Sequence, residues 1–369
     1  MTGKQTGNWS TERLTCVDAL RGFDMLWIIG GGEVMKTLAA HLPAGSQQWL
    51  VSQFEHEWGV FRFYDLIMPL FLFIVGVVMP VAFARRLQKG ESKQSIYRHV
   101  LWRTVKLYIL GLIASGHLLD FDLNTLRLWT DTLHAIAAGY LVSAVLVLEL
   151  PVKWQAGITA ALLLLYWAIM ALVPIPGQGA GIYEPERNLA LYIDDKVLGH
   201  FQEGYGWTYI LTNLTFVCSV MLGVFAGRIL MGTATPAQKI KRLSIAGLTC
   251  LVVGIGWSFV FPIIHHIWTS SLVLYAAGWS FLLLAVFYLI IDVRGYRRWA
   301  FPLRVIGMNA IAVYVATHLF DFRLIGNVFA GGLAQWLGPW YAFVQALMAL
   351  IVIWLILYWM YRTKTFIKV

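Results

Sequence analysis

Residues 54–71 read FEHEWGVFRFYDLIMPLF. His56 stands between two acids, Glu55 and Glu57, and Arg62 and Asp65 follow within nine residues. Imidazole is the side chain best suited to exchanging a proton near neutral pH, and neighbouring charges tune it. Arg62, Asp65 and Pro69, at i, i+3 and i+7, are predicted to share one face of a helix. The chemistry on offer is a general base, His56, beside an acid, Asp65, and a cation, Arg62. A surface histidine without a task is the alternative.

Other polar groups interrupt apolar runs. Asp18, Arg21 and Asp24 are spaced i, i+3, i+6 ahead of Gly30, Gly31 and Gly32. They read either as a self-neutralised helix end or as a binding cluster. The glycines read as close helix packing or as a gap, centred on Gly31, where a thin ligand passes beside the backbone. Asp131 and His134 form an i, i+3 pair, and Asn309 and His318 lie in one apolar stretch. A buried Asn commonly just bonds a neighbouring helix. Arg98, Arg103 and Lys106 extend a basic loop after residue 84. His265 and His266, being adjacent, do not share a face, so no metal site is expected there. Cys16, Cys218 and Cys250 show no pairing or ligand spacing. No P-loop, HExxH, GxSxG or dinucleotide-binding pattern is present.

The elements that must position these groups are set by composition. The 369 residues are 59% hydrophobic and 13% charged, with mean hydropathy +0.69. Soluble domains average about 45–50% and 25%. The chain is predicted to be an all-α integral membrane protein, a single polytopic domain over 1–369. Apolar runs long enough to cross a bilayer, roughly 20 residues each, fall near 17–40, 62–84, 100–118, 131–150, 154–173, 207–230, 243–264, 268–291, 303–320 and 339–361, which makes about ten helices. Lys and Arg divide 22 to 6 between the two sets of connections. By the positive-inside rule both termini are cytoplasmic, with loops about 41–61, 119–130, 174–206 and 321–338 on the periplasmic side of a multi-pass inner (plasma) membrane protein. The net charge of +9 is then a property of cytoplasmic loops, and nucleic acid is not an expected partner. A cleaved signal peptide is the competing reading of the first helix. Neither internal repeats nor paired broken helices are evident.

LTCVDALRGFDMLWIIGGGEVM (14–35), HEWGVFRFYDLIMPLFLFIVGVVMP (56–80), IWTSSLVLYAAGWSFLLLAVFYLIIDV (267–293) and GMNAIAVYV (307–315) together resemble the heparan-α-glucosaminide N-acetyltransferase family. The resemblance runs from the first helix to the ninth. It implies transfer of acetyl from cytosolic acetyl-CoA to an amino sugar across the membrane. His56 matches the family's catalytic histidine and Asp65 the acid of its D-L-x-x-P motif. Departures are Ile28, where the lysosomal enzyme has Asn; residues 131–135, which lack the common Gln-Arg; and Ile264-His265, where Asn-Lys is usual.

The sequence therefore predicts a transmembrane acyltransferase with His56 and Asp65 as catalytic residues. Asp18, Arg21, Gly31, Arg62, Arg103, Lys106, His134, Asn309 and His318 are the expected substrate or acyl-CoA contacts. Acetyl-CoA is a co-substrate, with no tightly bound cofactor or metal. The other expected partners are a sugar or glycan acceptor and membrane lipids, with a homodimer left open. A secondary transporter or carrier of a sugar or lipid-linked sugar, and a non-catalytic scaffold, are the competing readings.

Overall fold

Helices form along each apolar run and stop at polar or proline-bearing turns. The structure, a computed structural model, describes residues 14–204, 206 and 208–367. Lys4, Arg13 and Lys368, counted above toward cytoplasmic charge, lie outside the described residues.

The chain opens with α1 (Thr15–Leu26), a π-helical turn (Trp27–Gly31) and α2 (Gly32–Ala39). α3 (Ala44–Ser52) and a 3₁₀ turn (Phe63–Leu66) lead into α4 (Ile67–Gln88). Next come α5 (Lys93–Ala114), α6 (Thr132–Glu149) and α7 (Val152–Leu172). A small hairpin of β1 (Tyr183–Glu184) and β2 (Arg187–Asn188) precedes α8 (Leu189–Leu198), then α9 (Asn213–Met231), α10 (Pro236–Ser258) and α11 (Ser270–Phe287). The chain ends with α12 (Phe301–Met308), α13 (Ala310–Leu319), α14 (Phe322–Ala330), α15 (Ala334–Leu337) and α16 (Tyr341–Arg362).

Among the described residues, seven helical stretches are long and apolar enough to cross a bilayer, and the protein is a multi-pass membrane protein. The other three expected spans are also helical: two are interrupted, and the third, α5, is continuous but more highly charged. The first is interrupted by the π turn, where Gly30 takes φ 142°, a conformation L side chains rarely adopt. The ninth breaks at Asn309, whose ψ of 31° separates α12 from α13. The third, α5, starts seven residues earlier than its apolar run because Ser92 caps it, accepting from the Ser95 amide. Arg98, Arg103 and Lys106 are therefore helical, not part of a loop. The two interrupted helices are neighbours: a Cβ on Gly22 would lie 1.7 Å from the Leu303 carbonyl oxygen, and one on Gly307 2.1 Å from that of Asp18. Paired broken helices, not expected from the sequence, are thus present.

α4 and α9 cross at the centre of the bundle. A Cβ on Gly76 or Gly223 would stand 1.9 Å from the facing backbone oxygen, Val220 or Phe73. Small residues let the backbones approach, as membrane helix pairs require. The connections sort to two ends. At one end the Cys16 amide donates to Asp292 at 3.0 Å, Lys93 pairs with Glu149 at 2.9 Å, and Asp18 borders a 260 Å³ cleft with Arg85 and Met231. The other end holds the candidate site.

Candidate active site

α3 ends at Ser52, and the next ten residues run without a helix. Gln53 pins this segment: its carbonyl accepts from the Tyr64 amide at 3.0 Å. Phe54 is buried against Trp27 and Phe63. The fold back brings His56 onto Asp65. His56 Nδ1 lies 2.5 Å from Asp65 Oδ1, and Asp65 Oδ2 accepts from the Arg62 amide at 2.7 Å. Asp65 is wholly buried, while 18% of the His56 side chain is exposed. With an ionised Asp65 as acceptor, Nδ1 carries the proton and Nε2 keeps a lone pair.

Arg62 departs from its expected place. It precedes the helix in extended conformation (φ −109°), so helical spacing does not govern it. Its guanidinium meets Glu57 at 2.6 Å rather than Asp65.

His265 and His266, which the sequence gives no reason to place here, belong to this centre. They sit between α10 and α11 on a segment held rigidly in place. Trp268 takes a left-handed φ of 46° and donates to Ser219 at 3.2 Å, and the Tyr166 hydroxyl donates to the Ile267 carbonyl. The His265 ring lies parallel to that of His56, centroids 4.7 Å apart. His266 stacks on Trp58 and meets His56 edge-on. Burial, then the charge of His56, lowers the pKa of both; His266 is lowered to about 4. No sequence signal announces this, because adjacency says nothing about where a loop folds.

His56, Asp65 and His265 place three ligand-type atoms within 4.8 Å of one another. A metal ion binds in the plane of each imidazole. Two parallel rings 4.7 Å apart occupy separate planes, so one ion cannot satisfy both as they stand. The arrangement suits proton transfer better.

The pair opens into a cavity of about 740 Å³. Its wall draws His56 from the segment between α3 and α4, Asp131 from the N-cap of α6, Glu203 from the segment between α8 and α9, His265 from the segment between α10 and α11, and His318 from the end of α13. Ile28 and His318 also border a second cavity of about 580 Å³ beside Gly30, Glu33 and Arg323. Asp131 caps α6 through the Leu133 amide at 2.6 Å and accepts from Ser115 at 2.5 Å and Tyr314 at 2.9 Å.

Several expected contacts are not brought here. Both nitrogens of His134 are used by backbone: Nδ1 accepts from the Thr130 and Asp131 amides, and Nε2 donates to Tyr108 O. Asn309 binds Thr365 and Ile367 of the C-terminal segment. Asp18 and Arg21, 3.8 Å apart, lie at the opposite end of α1, and Arg21 reaches the Gly307 carbonyl. Gly31 is packed inside the π turn, where a Cβ would lie 2.7 Å from Leu26 O; Gly30 is the glycine that borders a cavity. Arg103 stacks over Tyr140 at 4.5 Å, and Lys106 is exposed on α5.

These features define a helical multi-pass membrane protein with a His–Asp pair, its carboxylate buried and its imidazole partly exposed, at a cavity of mixed polar and apolar lining. No family model matches the chain. It is 25% identical over 383 residues to heparan-alpha-glucosaminide N-acetyltransferase of Mus musculus, covering 86% of this chain and 55% of that protein. The figures for the Homo sapiens protein are 24% over 375 residues, 84% and 53%. The chain is a distant relative of that family and spans about half the length of these relatives.

Proposed function

We propose that the protein is a transmembrane acetyltransferase. Acetyl passes from cytoplasmic acetyl-CoA to an amine or hydroxyl of a sugar or other glycan on the non-cytoplasmic side, with His56 as general base. The observation that carries this is the 2.5 Å His56–Asp65 contact at a cavity walled by four of the segments that join the helices at this end and by the end of α13. A cavity gathering those segments fits ten crossings, and the charge bias then turns it away from the cytoplasm.

His56 Nε2 takes the acceptor's proton as the acceptor nitrogen or oxygen attacks the thioester carbonyl carbon. The C–S bond breaks, and the departing thiolate is protonated by the proton that His56 gained, directly or through water, which returns the base to its neutral form. Asp65 fixes the reactive tautomer and stabilises the imidazolium that forms. A positioned base contributes typically 10²–10⁴-fold, and holding both substrates in register supplies a further large share. Arg98, Arg103 and Lys106 climb α5 toward the cavity. At 1.5 Å rise per residue Lys106 lies roughly 20 Å along the helix from Lys93, a basic track for the donor's phosphates.

The broken first and ninth helices favour one second reading, a sugar carrier, since carriers bind substrate at paired discontinuous helices. One experiment separates the two. Purified protein is incubated with labelled acetyl-CoA and a panel of amino sugars and polyols. Acetylated product formed by wild type and lost in His56→Ala supports transfer. Uptake of sugar into vesicles without acetylation would leave the carrier.

A further inference from the structure

Asp65 holds His56 through Nδ1. A hydrogen bond fixes a point on an imidazole and lets the ring plane tilt about it. His56 also sits on a non-helical segment with 18% of its side chain exposed. A base must hold its lone pair on the line of the leaving proton, so the ring plane itself must be set.

We infer that His265 sets it: His265 is a positioning residue, a flat platform that fixes the plane of His56 so that Nε2 faces the cavity. The inference rests on the acyl-transfer reading for its catalytic consequence. The two rings lie 6° from parallel with centroids 4.7 Å apart. His265 Nδ1 is 3.7 Å from Asp65 Oδ1, the oxygen His56 already uses. At 3.7 Å that separation is too long for a hydrogen bond, so it is stacking, face to face, that registers the two rings beside the shared carboxylate. The platform does not move, because Thr269 Oγ1 accepts from the Ile264 amide at 3.1 Å and the neighbouring Trp268 is wholly buried. His266 closes the edge, its ring 78° from that of His56.

Burial keeps the platform neutral. When His56 gains the acceptor's proton, the new cation faces a π surface rather than a second cation, an attractive contact when desolvated. A phenyl ring would serve the same purpose and an alanine would not.

The test compares His265→Ala with His265→Phe in the acetyl-transfer assay, with His56→Ala as the inactive control. A misplacement of about 1 Å costs on the order of 10²-fold. His265→Ala should therefore lower kcat by roughly 10–100-fold while leaving KM for acetyl-CoA within about twofold. His265→Phe should recover to within about fivefold of wild type. An activity-independent measurement accompanies it: the His56 ring-proton shift by NMR in micelles should lose its ring-current displacement in His265→Ala and regain it in His265→Phe. Wild-type kcat in His265→Ala, or an unmoved His56 resonance, overturns the inference. An inactive wild type would instead sink the acyl-transfer reading, and the resonance would still decide whether the rings stack.

Discussion

The Tyr314 hydroxyl donates to Asp131 at 2.9 Å across 183 residues of sequence, tying α13 to the first turn of α6 at the wall of the cavity. Asp131 is 2% exposed and also holds Ser115 and the Leu133 amide.

Tyr314→Phe removes one of the donors to Asp131 and leaves the others, so it should cost about 1 kcal/mol. Asp131→Ala loses the cap and strands two hydroxyls, which should cost on the order of 3 kcal/mol. Thermal unfolding in detergent reads both. Equal losses in the two variants would show that Tyr314 is the only partner that matters.

How far the sequence reveals this arrangement depends on what each element obeys. Spans such as α4 and α9 follow from apolar length alone, and helices occupy all ten expected places. α5 begins early because a cap, not hydropathy, starts it. His56 and Asp65 are legible together because a short fold-back joins them nine residues apart. Arg62 misleads because helical spacing does not apply to a residue in extended backbone. His265 is invisible because its approach depends on how α10 and α11 pack, more than 200 residues from His56. His134 looks like chemistry and is satisfied entirely by backbone.

Asp65→Asn should approach His56→Ala in its effect on transfer. The carboxylate accepts the Nδ1–H hydrogen bond directly, and a neutral amide neither stabilises the imidazolium nor enforces the tautomer. Losses of about 10²-fold or more are expected for both, with acetyl-CoA binding retained. An Asn variant within a few-fold of wild type would mean that Asp65 serves the Arg62 turn alone.

Orientation is read by thiol labelling. Lys89→Cys lies in the short turn between α4 and α5, and Glu186→Cys in the exposed β1–β2 turn. Native Cys16 and Cys218 are buried and Cys250 is half-buried, so background should be low. In intact cells an impermeant maleimide should label the Glu186→Cys variant and spare the Lys89→Cys variant. The reverse pattern would place the cavity on the cytoplasmic side and dismantle the proposed vectorial reaction.

Donor capture should depend on α5. Neutralising Arg98, Arg103 and Lys106 together should raise KM for acetyl-CoA and flatten its salt dependence, since cations along an entry path raise capture. Arg103 also covers Tyr140, so Arg103→Gln alone should cost some stability, whereas Lys106→Gln should not. An unchanged KM in a properly inserted triple variant would reduce these residues to orientation signals.

Acid sensitivity should trace in part to His266. Its ordinary pKa of 6.5 is lowered to about 4 in the folded protein, first by burial and then by the charge of His56. The unfolded chain therefore binds a proton between those values that the folded protein refuses. Stability from this group is complete above about pH 6.5 and falls as pH drops toward 4, by on the order of 2 kcal/mol once solvent screening is allowed for. His266→Phe keeps a ring against Trp58 and cannot titrate. Melting temperature measured from pH 7.5 to 4.5 should decline less steeply in this variant than in wild type. Superimposable pH curves would mean that His266 is solvated and titrates normally, and that the histidine cluster is more open than its packing against Trp58 and His56 requires.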